Sequence, residues 1–180
     1  MRPKEVQPSR CLRDLLEALY PTIRWDAVSF HVGLPAGVRR FTEVAITLPA
    51  PLGTRGLRIY IAEKFWDPGT AKGLGLIVHE CFHVLQYQER LGGVGLGPLR
   101  GFTFQYLFWA MFEGGGKENR YEAPAYAHEV RFIAACRALP RPLCDSSGKR
   151  PGIDGEMLER LLRLNPWLVR RSSENADPQV

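Results

Sequence analysis

Gly73-Leu74-Gly75-Leu76-Ile77-Val78-His79-Glu80-Cys81-Phe82-His83-Val84-Leu85-Gln86 decides how this chain is read. An apolar run enters and leaves the pattern HExxH, and its spacing predicts a buried helix over residues 74–91, closed by Gly92-Gly93. On a helix, side chains four apart share a face, offset by about 40° and about 6 Å of rise. Two imidazoles placed that way can close on one metal ion. The intervening Glu80 then stands at the edge of the same face, within reach of a water as general base. Cys81, about 200° round from His79, is expected in the core.

A catalytic zinc needs a third protein ligand and one open position. Downstream lies Asn119-Arg120-Tyr121-Glu122-Ala123-Pro124-Ala125-Tyr126. Asn119 and Glu122 have capping-box spacing, so one role for Glu122 is to satisfy backbone amides at a helix start. The favoured role is that of third ligand, on a second helix packed against the first. Glu118, Glu129 and His128 stay open as alternatives.

Working outward, the chain divides into short elements. Ser9 is expected to cap a helix over 11–20, with Leu12, Leu15, Leu16 and Leu19 on one face. Residues 23–25 and 28–32 alternate like strand, as do 41–48, with Val44, Ile46 and Leu48 in period two. Residues 57–62 give the clearest strand. The aromatic run 102–112 fits a buried helix stopped by Gly114-Gly115-Gly116. Further helices are expected over 119–139 and 156–164, the second with Leu158, Leu161 and Leu162 inward. The fold class is therefore α+β, a small sheet followed mostly by helices.

Composition bounds the rest. A chain of 180 residues, 45% hydrophobic and 11% aromatic, is long enough for a self-sufficient core and is read as one domain. A core over about 25–139 is followed by a helical appendix over about 140–171 and a frayed tail over 172–180. No run of about 18 apolar residues exists, which excludes a membrane-spanning helix. The polar start, with Pro3 and Pro8, lacks the apolar segment of a secretory leader, so the expected location is the cytoplasm, with export by another route left open. The net charge is +5, but only Arg39-Arg40 and Arg160, Arg163, Arg170 and Arg171 form local groups. A solvated surface is favoured over nucleic-acid binding. Four cysteines without a CxxC pair are expected as reduced thiols, with a Cys136–Cys144 bridge as the alternative.

HExxHxxQ over His79 to Gln86, after a strand and before Glu122-Ala-Pro-Ala125-Tyr126, resembles the Glu-zincin metallopeptidases. More closely it resembles short bacterial zincin-like domains of unassigned function, some of which accompany extracellular contractile injection systems. The resemblance covers residues 25–135. It implies a zincin-like fold: a small mixed sheet, a helix carrying HExxH, and a second packed helix carrying the third ligand. It also implies Zn²⁺ held by His79, His83 and Glu122, catalysis by Glu80, and a peptide or protein substrate. Tyr126 stands where such enzymes keep an Asp that orients a zinc-bound His, so it is expected to take that hydrogen bond or to face the oxyanion. The strand 57–62 is expected to line the cleft, and Gly114-Gly115-Gly116 to end a helix or hinge a lid. Segments before Trp25 or after Leu139 are candidates to block the cleft, with Cys11 or Cys144 as a thiolate ligand. The alternative function is a zinc-stabilised binding or structural module of a larger assembly.

Overall fold

In the computed structural model, residues 2–38, 42–50, 56–90, 121–140, 143 and 154–169 are described. Statements on the fold concern these residues. The expected helix over 102–112, the triple glycine at 114–116, Glu118 and the tail 172–180 lie outside them.

The architecture is α+β, with four strands and four α-helices among the described residues. The strands are β1 (Lys4–Val6), β2 (Val28–Val32), β3 (Ala45–Pro49) and β4 (Leu57–Ile61). They form one mixed sheet in the order β1-β2-β4-β3. β2 and β4 are parallel, in register Phe30↔Ile59, while β1 and β3 pair antiparallel on either side.

The helices are α1 (Arg10–Leu19), α2 (Ala71–Arg90), α3 (Glu122–Arg137) and α4 (Gly155–Leu164). Ser9 caps α1 by accepting the Leu12 N–H, and the four expected leucines are buried. Each contributes roughly 1.5–3 kcal/mol by leaving water. Asp154 caps α4 by accepting the Met157 N–H. In α4 it is Met157 and Leu161 that are buried, with Leu158 and Leu162 packed half-buried against the core.

α2 is the centre of the molecule. It starts at Ala71 because Thr70 Oγ1 accepts the Gly73 N–H at 3.1 Å. One side packs on β3 and β4, the other on α3. Leu74, Ile77, Val78, Cys81, Phe82, Val84 and Leu85 are all buried, so the helix is apolar on more than one face. Gly75 sets the approach of α3: a methyl group there would stand 2.5 Å from Ile133 Cγ1. Tyr20 ties α1 to α2 by donating its hydroxyl hydrogen to the Val78 carbonyl at 2.9 Å. One hydrophobic cluster runs from Leu12 to Leu168 and takes in both α1 and α4.

Four expectations are corrected. Residues 23–25 are not strand: the chain turns there and enters a 3₁₀ turn over Trp25–Ala27, whose Asp26 suits a turn better than a sheet. The early segment that seemed only polar supplies β1. The strand expected over 41–48 runs from Ala45 to Pro49, and in it Ala45 and Thr47 face α2, with Thr47 buried. β4 cannot offer its backbone to a cleft, because β2 and β3 occupy both its edges. Among the described residues, no helix is long and apolar enough to cross a membrane.

Candidate metal centre

His79 and His83 lie on α2 and point their Nε2 atoms at each other, 3.1 Å apart. Glu122 opens α3 and meets both: Oε2 is 3.3 Å from His79 Nε2, and Oε1 is 3.5 Å from His83 Nε2. These residues form a group whose ligand atoms all lie within 4.8 Å of one another and which could hold a metal ion. Metal–ligand bonds of about 2.0–2.1 Å in tetrahedral geometry put neighbouring ligand atoms about 3.3 Å apart. The three edges found, 3.1, 3.3 and 3.5 Å, bracket that value. The donor set therefore fits a small divalent cation.

Glu122 reaches this position because α3 begins there. Tyr121 occupies the cap position without a side-chain capping bond, and the Glu122 carboxylate turns to the histidines. Pro124 falls in the first turn, where its missing N–H costs no helical bond. Of the alternatives, Glu129 lies on the far side of His79, and His128 belongs to an aromatic core cluster. Its ring is 5.8 Å from Tyr20, 5.6 Å from Phe82 and 6.4 Å from Trp167.

The outer nitrogens of both histidines are also engaged. His83 Nδ1 is 2.8 Å from Gln86 Oε1, and Gln86 Nε2 donates to the Tyr121 carbonyl at 3.1 Å. Gln86 thus links His83 to the residue that starts α3. Glu129 Oε2 stands 3.1 Å from His79 Nδ1, a close approach not aligned as a hydrogen bond. An acceptor at Nδ1 keeps the proton there and leaves the Nε2 lone pair for a metal. The carboxylate beside the outer nitrogen of His79 is therefore Glu129, while Tyr126 sets its ring edge-on to that imidazole at 4.6 Å.

The charge balance favours a cation. His79, Glu80, His83 and Glu122 are 5%, 4%, 6% and 7% exposed, and Glu129 is half-buried beside them. Burial alone would lower the His79 pKa, but Glu122 and Glu129, with Glu80 further off, push it up to about 10. Without a metal, a proton takes the cation's place. Burial raises the pKa of Glu80, against His83, His79 and a hydrogen bond from Thr47. Burial and the surrounding carboxylates raise that of Tyr126.

Glu80 is not in the metal group. Its Oε2 accepts a hydrogen bond from Thr47 Oγ1 at 2.8 Å. Thr47 was missed from sequence; the one available signal was a hydroxyl in the middle of an apolar strand. Cys81 is a fully buried free thiol, as expected, and burial holds its pKa well above normal. Cys11 is disulfide-bonded, so the expectation of a reduced thiol fails there, as does that of a Cys11 thiolate ligand. Cys136 is free and Cys144 lies outside the described residues.

No protein-family model matches the chain, and no curated protein and no solved structure proves similar to it.

Proposed function

We propose that the chain is a zinc-dependent peptidase of the zincin type. The observation that carries this reading is a buried carboxylate, Glu80, set beside a three-ligand group without belonging to it. A purely structural site closes its coordination with a fourth protein ligand and needs no base. Nitrogen and carboxylate donors at this spacing suit zinc, though other divalent ions of similar size share the preference.

Zinc in such a site supplies Lewis acidity, polarising a peptide carbonyl and acidifying water. His79, His83 and Glu122 would hold the ion, with Gln86 and Glu129 behind the two imidazoles. Glu80 takes the proton from the attacking water and delivers it to the leaving amine. In this reading Tyr126, whose ring meets the His79 ring edge-on, donates its hydroxyl hydrogen to the developing oxyanion. The substrate class is a peptide or protein.

Glu80→Gln tests the reading, since it keeps shape and removes basicity. Zinc content and folding should stay unchanged. Hydrolysis of casein or of a broad peptide library should fall about 10²–10⁴-fold, the usual share of general acid–base catalysis. If zinc-loaded wild type and variant behave identically against the library, the peptidase reading gives way to a zinc-stabilised, non-catalytic module.

A further inference from the structure

We propose that Thr47 is a positioning residue for Glu80: its hydroxyl, held on β3, pins one carboxylate oxygen so that the other faces the metal position. The inference rests on the reading of Glu80 as the working carboxylate of the site.

Thr47 Oγ1 lies 2.8 Å from Glu80 Oε2 and 3.1 Å from the Glu80 backbone carbonyl oxygen. A hydroxyl has one hydrogen to donate. The carbonyl is within α2 and has a helical N–H four residues on. The carboxylate offers the shorter contact and, when ionised, the stronger acceptor. The hydrogen therefore goes to Oε2, which leaves Oε1 as the oxygen that exchanges a proton with water.

Three features make this an orienting contact. Glu80 has three rotatable side-chain bonds, and its backbone is fixed by α2 alone. Thr47 belongs to a different element, and its β-branched side chain has a restricted first torsion. β3 is in turn fixed by its register with β4, Thr47 opposite Ile59. The carboxylate is thus referenced to the sheet as well as to its own helix. The strand also spends a core-facing position on a hydroxyl where Val would fill the same volume, and a buried hydroxyl is costly unless partnered.

The test uses the full chain loaded with zinc and acetohydroxamate as probe. This small chelator binds metal through two oxygens and donates a hydrogen to an adjacent carboxylate, so its affinity reports carboxylate placement without any turnover. Thr47→Val should retain zinc and weaken acetohydroxamate roughly 10-fold or more, the size of one hydrogen bond to a charged group. Thr47→Ser, which keeps the hydroxyl, should bind within about 2-fold of wild type. In a Glu80→Gln background, Thr47→Val should add little, because the two act as one unit. On any peptide that wild type cleaves, the loss should fall on kcat and leave KM unchanged.

Unchanged acetohydroxamate affinity in Thr47→Val overturns the proposal. So does a weakened Thr47→Ser, unchanged affinity in Glu80→Gln, or loss of zinc in Thr47→Val, which would make Thr47 a structural residue only. A wild type that cleaves nothing, combined with the expected affinities, removes the peptidase reading and leaves the positioning intact.

Discussion

Glu129 stands seven residues after Glu122 on α3, and its carboxylate is 3.1 Å from Nδ1 of the same histidine, His79, whose Nε2 is 3.3 Å from Glu122. Seven residues are close to two full turns, so one face of one helix grips both nitrogens of the ring. The two carboxylates should behave differently on removal. Glu122→Ala takes away a metal-ligating group and should abolish stoichiometric metal binding, as should His79→Ala or His83→Ala. Glu129→Ala removes only the support behind His79 and should weaken affinity about 10–100-fold. Competition with a chromophoric chelator separates the two cases. Equal losses for Glu122→Ala and Glu129→Ala would sink the division of roles.

The helix pair was legible because α2 carries a strong local signal, an apolar run with two histidines four apart. Glu122 was reachable as a downstream carboxylate on a second helix, although its capping-box spacing pointed to backbone amides instead. The role of Glu129 was not, since choosing between ligand and support depends on the rotation of α3 about its axis. Only packing against α2 sets that rotation. β3 was legible as a strand, but its inward face was not. Its alternation is real, but Ile46 and Leu48 oppose Tyr60 and Arg58 while Thr47 turns to Glu80. Apolar pattern names two faces of a strand, and it misnames the inner one where a polar contact claims the core side. The edge and centre order of the sheet likewise depends on pairings distant in sequence, which put β4 inside although it reads as the best strand.

Gly75 governs how close α3 comes. A methyl group there would fall 2.5 Å from Ile133 Cγ1, 2.7 Å from its Cδ1 and 3.5 Å from Glu129 Cγ. Gly75→Ala gains helix propensity worth up to about 1 kcal/mol, but the clash should outweigh it and leave the protein about 1–3 kcal/mol less stable. Pushing α3 outward also moves Glu122 and Glu129, so metal affinity should fall with stability. Adding Ile133→Ala should recover much of the affinity by opening the space. Urea midpoints and metal titrations on the three variants check this, and an affinity that is lost and never regained would point to a cause other than the helix spacing.

Metal and proton compete for His79. In the metal-free protein, burial lowers its pKa but Glu122 and Glu129 outweigh that and raise it to about 10, above the ordinary 6.5. A raised cationic pKa contributes stability that is complete below about 6.5 and is lost as pH climbs through about 10. Metal loading must displace that proton. Apparent affinity should therefore climb from pH 6.5 towards 9, by about tenfold per unit if one proton is released. Metal-free protein should meanwhile lose stability over the same range. Calorimetric titration in buffers of different ionisation enthalpy counts the protons, and a count of zero at pH 7.5 would contradict the assignment.

Cys11 is the point at which the structure departs furthest from the expected thiol chemistry. It is disulfide-bonded on α1, with its Sγ 3.3 Å from the Leu143 carbonyl oxygen, while Cys81 and Cys136 are free. The fourth cysteine, Cys144, lies outside the described residues. A disulfide restricts the unfolded chain and should stabilise the fold by about 2–5 kcal/mol. Such bonds persist in oxidising compartments and are rare in the cytoplasm. Protein refolded in a glutathione redox buffer and then denatured should titrate two thiols, and four after reduction. Peptide mapping without reductant should recover Cys11 in a disulfide-linked peptide. Reduction should lower the unfolding midpoint, and Cys11→Ser should reproduce that loss without removing metal, because α1 touches α2 through Tyr20 and not through the histidine face. Four titratable thiols after oxidative refolding, or a Cys136-linked peptide in place of Cys11, would refute the assignment.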